Sequence, residues 1–136
     1  MNVVLRVVCF FALGVVLAGC SSPEGVGIID EGGNTALVAT NQSGGMDARV
    51  VGTVAIESGC WGILSEGEFV LVVWPQGTSL SSGGESLQVA GGVVLREGVP
   101  ITGGGGFDQN HLLEGLKGIE DCTTDQVALL WKVDVD

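Results

Sequence analysis

Four cysteines, one histidine, three tryptophans and sixteen acidic side chains are the groups in this 136-residue chain with chemistry to offer. A nucleophilic triad needs a histidine between its nucleophile and a carboxylate, and His111, beside Asn110, would have to serve alone. There is no G-x-S-x-G elbow. Gly103 to Gly106 is followed by Phe107-Asp108 rather than Lys and Ser or Thr, so it is not a phosphate-cradling loop but is expected to be a flexible run. Carboxylates gather at Glu66 and Glu68, at Asp134 and Asp136, and at Glu120, Asp121 and Asp125 around Cys122. Calcium favours such oxygen clusters, but the D-x-[DN]-x-[DN]-G loop is absent, and solvated turns and strand ends are expected instead. No metal, cofactor or catalytic residue is therefore expected. Trp61, Trp74 and Trp131 are suited to stacking on a sugar as well as to core packing. Packing is expected for them; Trp61, with loops 75–84 and 103–107, is the candidate ligand-binding position.

Length and charge narrow the classes further. The chain is long enough for one domain. Its net charge of −11 argues against nucleic acid, which is held by clustered Lys and Arg. Glycine contributes 24 residues without a G-X-Y period, which excludes collagen.

Met1 to Leu5 leads into Arg6 and then an uncharged apolar run, Val7 to Ala18. Twelve helical residues rise only about 18 Å, short of a hydrocarbon core of about 30 Å. A signal-peptide h-region fits better than a permanent span. Next come Leu17-Ala18-Gly19-Cys20 and Ser21-Ser22-Pro23. This stretch resembles the lipobox of bacterial lipoproteins. The resemblance implies diacylglycerol attached to the Cys20 sulfur, cleavage before Cys20, and an anchor on the extracytoplasmic face of the cell membrane. Two acyl chains anchor stably where one does not. Residues 1–19 are then a signal peptide, and 20–34, rich in Ser, Gly and acid, a lipidated tether for a domain over 35–136.

Cys9 leaves with the signal and Cys20 takes lipid, so Cys60 and Cys122 remain. In an exported chain such a pair is expected to form a structural disulfide. A metal or redox pair would want C-x-x-C spacing or nearby histidines, and the sequence offers only His111.

Beyond residue 34 the pattern is largely of period two. Val50, Val54 and Ile56 share a face against Arg49, Thr53 and Glu57, and Phe69 to Trp74 is continuously apolar, as in a strand buried on both faces. Short strands follow at 87–89, 93–95 and 99–102, and Val127, Leu129, Trp131, Val133 and Val135 alternate against Ala128, Leu130, Lys132 and Asp134. Asp108 is placed to cap a short helix over 109–116. The fold expected is mainly all-β, a small antiparallel OB-like β-barrel with one short helix before the last strand.

Gly52, Gly59-Cys60-Trp61, Val72-Val73-Trp74-Pro75-Gln76-Gly77-Thr78, Gly98 and Gly103-Gly104-Gly105 resemble small envelope lipoproteins of actinobacteria, a resemblance that implies no activity. The expected role is non-enzymatic, a lipid-anchored β-barrel presented to another envelope component, either a protein or, in the alternative, a glycan or small ligand. Without residues 1–19 the chain holds four basic against sixteen acidic side chains. A chain begun near Asn34 should then ignore anionic vesicles in co-sedimentation at low ionic strength, where screening is weakest. Salt-sensitive binding would show that the basic residues cluster.

Overall fold

The computed structural model describes residues 25–41, 48–108, 113–122 and 124–136. The lipobox residues, Cys20 and His111 lie outside them. Among the described residues the chain is mainly β, in agreement with the all-β expectation. β1 (Val26–Glu31) and β2 (Asn34–Ala39) form one hairpin, and β3 (Ala48–Glu57), β4 (Cys60–Ser65) and β5 (Glu68–Trp74) form a meander. All three tight connections are two residues long and end in glycine: Gly32-Gly33, Ser58-Gly59 and Glu66-Gly67. Both residues of each turn have positive φ, from 50° at Ser58 to 83° at Gly33, the backbone that matches the twist of paired strands. The first hairpin corrects an expected boundary. Val26–Glu31 is paired along its length with β2, so the folded body starts before residue 35 and a tether cannot extend to residue 34. A truncated chain must begin at Gly25.

A small separate sheet, β6 (Ser79–Leu80), β7 (Leu87–Val89) and β8 (Val93–Leu95), follows β5. β9 (Pro100–Asp108) and β10 (Val127–Val135) complete the chain. β3 pairs with both β4 and β9, β9 with β10, and β10 with β5, the last in parallel through Val127–Leu71 and Leu129–Val73. β4 pairs with β5 near their shared turn, and β2 enters where the other ends part, pairing with Cys60 through Thr35 and with Val73 and Trp74 through Leu37 and Val38.

The continuous apolar run of β5 is buried on both faces. Val70, Val72 and Trp74 join Val50, Val54, Trp61, Ile63 and Ile101 in the larger core. Leu71 and Val73 join Val26, Leu37, Cys60, Ile119, Cys122 and Val127 in a second one. The cover over this second face is the 113–122 segment, whose Leu113 and Leu116 also pack against it. No helix exists there among the described residues: the expected helix over 109–116 is, at 113–116, a single turn closed by Leu116 N–H donating to the Leu113 carbonyl at 3.1 Å. Residues 109–112 lie outside the described set.

Gly103 to Gly106 is not a flexible loop. It forms the middle of β9, hydrogen-bonded on one side to β3 and on the other to β10. Here glycine allows close approach. A Cβ at Gly103 would sit 2.7 Å from the Lys132 carbonyl oxygen, and one at Gly105 would run into the Leu129 carbonyl. Opposite this run β10 carries a bulge, the register passing from Leu130–Gly105 to Lys132–Gly104 with Trp131 as the extra residue. The bulge breaks the expected alternation. Ala128 and Leu130 face the larger core before it and Val133 after it, so Val133 and Trp131 do not share the face assigned from period two.

Gly105→Ala should lower stability by about 1–3 kcal/mol through overpacking against β10. Gly83→Ala, whose Cβ would meet only the Glu85 side chain at 3.8 Å, should change it by less than about 0.5 kcal/mol. Thermal and urea unfolding compare the two. Equal effects would contradict the close-approach account.

Candidate functional site

Cys60 and Cys122 are joined in a disulfide, with Cα atoms 5.7 Å apart. Cys60 opens β4, and Cys122 ends the segment that covers β5, closed locally by Cys122 N–H donating to the Ile119 carbonyl at 2.9 Å. Both cysteines are buried in the second core. The bond therefore ties the cover to the strand beneath it. Next to it, Gly118 N–H donates to the Glu120 carboxylate at 3.1 Å. Glu120's own backbone N–H, and then that of Gly118, hold this exposed carboxyl below its ordinary range. The acids expected as solvated turn residues around Cys122 include one that shapes its turn.

The tryptophans divide sharply. Trp61 and Trp74 are 0% exposed and belong to the larger core. Trp61, the candidate ligand-binding residue, thus has no surface to offer from solvent. Neither buried indole N–H has a hydrogen-bond partner, at a typical cost of about 1–3 kcal/mol for each such group. Such a cost is borne where packing area outweighs it, as in a core. The loops named with Trp61 are also accounted for otherwise. Residues 103–107 are strand, and in the 75–84 stretch the buried Thr78 hydroxyl and N–H both donate to the Pro75 carbonyl, at 2.6 and 3.2 Å, closing a tight turn after Trp74.

Trp131 is different. As the bulged residue of β10 it lies partly exposed, its benzo ring across Gly104, with Cζ2, Cε2 and Cη2 2.9–3.2 Å from where a Cβ would stand. Gly104 also pairs with Arg49 on β3 and with Lys132 on β10. Directly opposed residues of an antiparallel ladder project from the same face, so Arg49, Trp131 and Lys132 surround one glycine. One row along, Val51, Thr102 and Asp134 are aligned in the same way. Val51 is 50% exposed. Lys132 Nζ lies 3.5 Å from Asp134 Oδ2, and the Thr102 hydroxyl donates to Asp136 at 3.0 Å. No sequence signal placed these residues together. The bulge that brings Lys132 to the outer face beside Trp131 and the register across β9 are both tertiary facts.

A third feature is an open groove of about 1060 Å3 between the ends of β3 and β5 and the 113–126 connection. Glu57, Glu68, Glu114 and Asp125 line it with Phe69 and Cys122. Among the described residues no group of three His, Cys, Asp or Glu side chains is placed to hold a metal ion. No helix among them is long and apolar enough to cross a membrane.

No protein-family model, curated protein or solved structure matches this chain.

Replacing Cys60 by Ser should release the cover over β5. A loop of this length is worth about 4 kcal/mol in the chain-entropy view, and unfolding by urea should show a loss of that order. Non-reducing peptide mapping should recover Cys60 and Cys122 in one cross-linked fragment. Two alkylatable thiols in oxidised protein would contradict the assignment.

Proposed function

We propose that this chain is a lipid-anchored lipoprotein of the cell envelope, held at the membrane by diacylglycerol on Cys20. Its folded part is a non-enzymatic interaction module with an OB-like barrel. Three observations support the reading. The Leu17-Ala18-Gly19-Cys20 stretch follows an apolar run too short to span a bilayer. A buried disulfide suits an exported chain rather than a cytosolic one. The strand pairings run β3–β4–β5–β10–β9 and return to β3, with β5 and β10 parallel, an order compatible with a five-stranded Greek-key barrel.

The observation that carries the module reading is the covered second face. OB barrels bind ligands on the face of their second and third strands. The corresponding strands, β4 and β5, here have Cys60, Leu71 and Val73 buried beneath the 113–122 segment. Contact with a partner falls instead to the outward surface of β3, β9 and β10. A glycan-binding role survives as a second reading because Trp131, unlike Trp61, lies on that surface.

Metabolic labelling with a fatty-acid analogue tests the anchor. The wild-type chain should incorporate label and enter the detergent phase on Triton X-114 partition. Cys20→Ala should do neither as a processed lipoprotein and should accumulate as an uncleaved precursor. Label on Cys20→Ala equal to wild type would refute the proposal.

A further inference from the structure

We infer that the outward surface centred on Gly104 is a binding site for a neutral glycan, with Trp131 as its stacking platform. Arg49, Thr102, Lys132 and Asp134 are its polar rim. The inference deepens the envelope-module reading and rests on it. The pyranose ring has an apolar C–H face and a rim of hydroxyls, each a donor and an acceptor. A site for it needs a flat aromatic surface and both kinds of hydrogen-bonding group around the edge.

The Gly104 surface has this composition. The indole lies flat across a residue with no side chain to lift it. Strands lie about 4.8 Å apart, which puts the Arg49 and Lys132 Cα atoms about 10 Å from one another on either side of Gly104. The guanidinium and ammonium supply donors only, and the carboxylate of Asp134 supplies acceptors. The Lys132–Asp134 pair is 61% exposed on both sides, so solvent already competes for it and a ligand hydroxyl exchanges for water at little cost. Exposed Val51, one row along, extends the apolar part of the surface.

Charge decides the class of glycan. The chain carries −11 overall, and Asp134 and Asp136 lie on the same strand end as Lys132. The field around the site repels a polyanion, while the two local cations and two local anions together suit an uncharged polyol. The alternative account of Trp131 is that the indole merely shields Gly104 within the sheet, as aromatic residues do beside strand glycines. The two accounts part on Arg49, which is exposed and belongs to neither core cluster: shielding alone predicts no saccharide binding for Arg49→Ala to weaken.

The test uses full-length protein in detergent, titrated with neutral hexasaccharides of glucose, mannose and galactose, and with polygalacturonate as the anionic control. Binding is read by calorimetry and by acrylamide quenching. Trp61 and Trp74 are fully buried, so collisional quenching reports chiefly on Trp131. At least one neutral hexasaccharide should bind and shield the quenchable tryptophan. Trp131→Ala should weaken binding about tenfold or more, and Arg49→Ala, which disturbs no core contact, by a few-fold with an unchanged melting temperature. Absence of binding to all three neutral probes would overturn the site, as would preference for polygalacturonate or affinity unaltered in both variants. Detergent-phase partition of the same wild-type sample reads the lipid anchor separately, so failure of the site and failure of the anchor are distinguishable.

Discussion

A strand buried on both faces must be covered on both, and β5 imposes that requirement on the whole molecule. Val70, Val72 and Trp74 are satisfied by the larger core, which the neighbouring strands supply directly. Leu71 and Val73 face the other way and need a cover of their own. Burying each such side chain is worth about 1.5–3 kcal/mol, which is a large share of the stability of a domain this small. The chain meets the requirement with β2, inserted where β4 and β5 part, and with the irregular 113–122 segment. That segment has no ladder of its own among the described residues. Its backbone is fixed by local hydrogen bonds at Leu116, Gly118 and Cys122, the second of them to the Glu120 carboxylate, and by the bond from Cys122 to Cys60.

The cover also decides which faces of the strands meet solvent. The apolar cover buries Cys60, Leu71 and Val73 on that face of β4 and β5. β9, whose glycine run brings it tightly against β10, is the middle strand of an outward surface shared with β3 and β10. The same close approach accompanies the bulge at Trp131, beyond which Lys132 faces outward and Val133 inward, the reverse of what a regular ladder would give. Packing, rather than any surface motif, thus creates the arrangement of Arg49, Trp131 and Lys132 around Gly104.

This history explains what could be read in the residues and what could not. β3, β5, β7 and β8 are legible because apolar patterning marks them directly. β1 was missed because Val26-Gly27-Ile28-Ile29-Asp30-Glu31 sits among Ser, Pro and Gly and shows too short an alternation to separate from a tether. The strand expected at 99–102 is only the start of β9, and its continuation is hidden for a plainer reason: Gly103 to Gly106 has no side chains with which to display a period. Leu113 and Leu116 mimicked helical spacing because both must reach the same buried face, a demand that a turn meets equally well. The disulfide was legible from cysteine counting. The Trp131 surface was not, since a single bulged residue inverts the facing of everything beyond it and leaves no local signal.

Hydrogen exchange measured by mass spectrometry on the oxidised protein and on Cys60→Ser tests the central claim, that the disulfide holds the cover over β5, most directly. Peptides covering 113–122 and 69–73 should exchange markedly faster in the variant, while those from β3 and β9 keep the protection of the oxidised form. Unchanged exchange over 113–122, or an equal rise in every strand, would contradict the account.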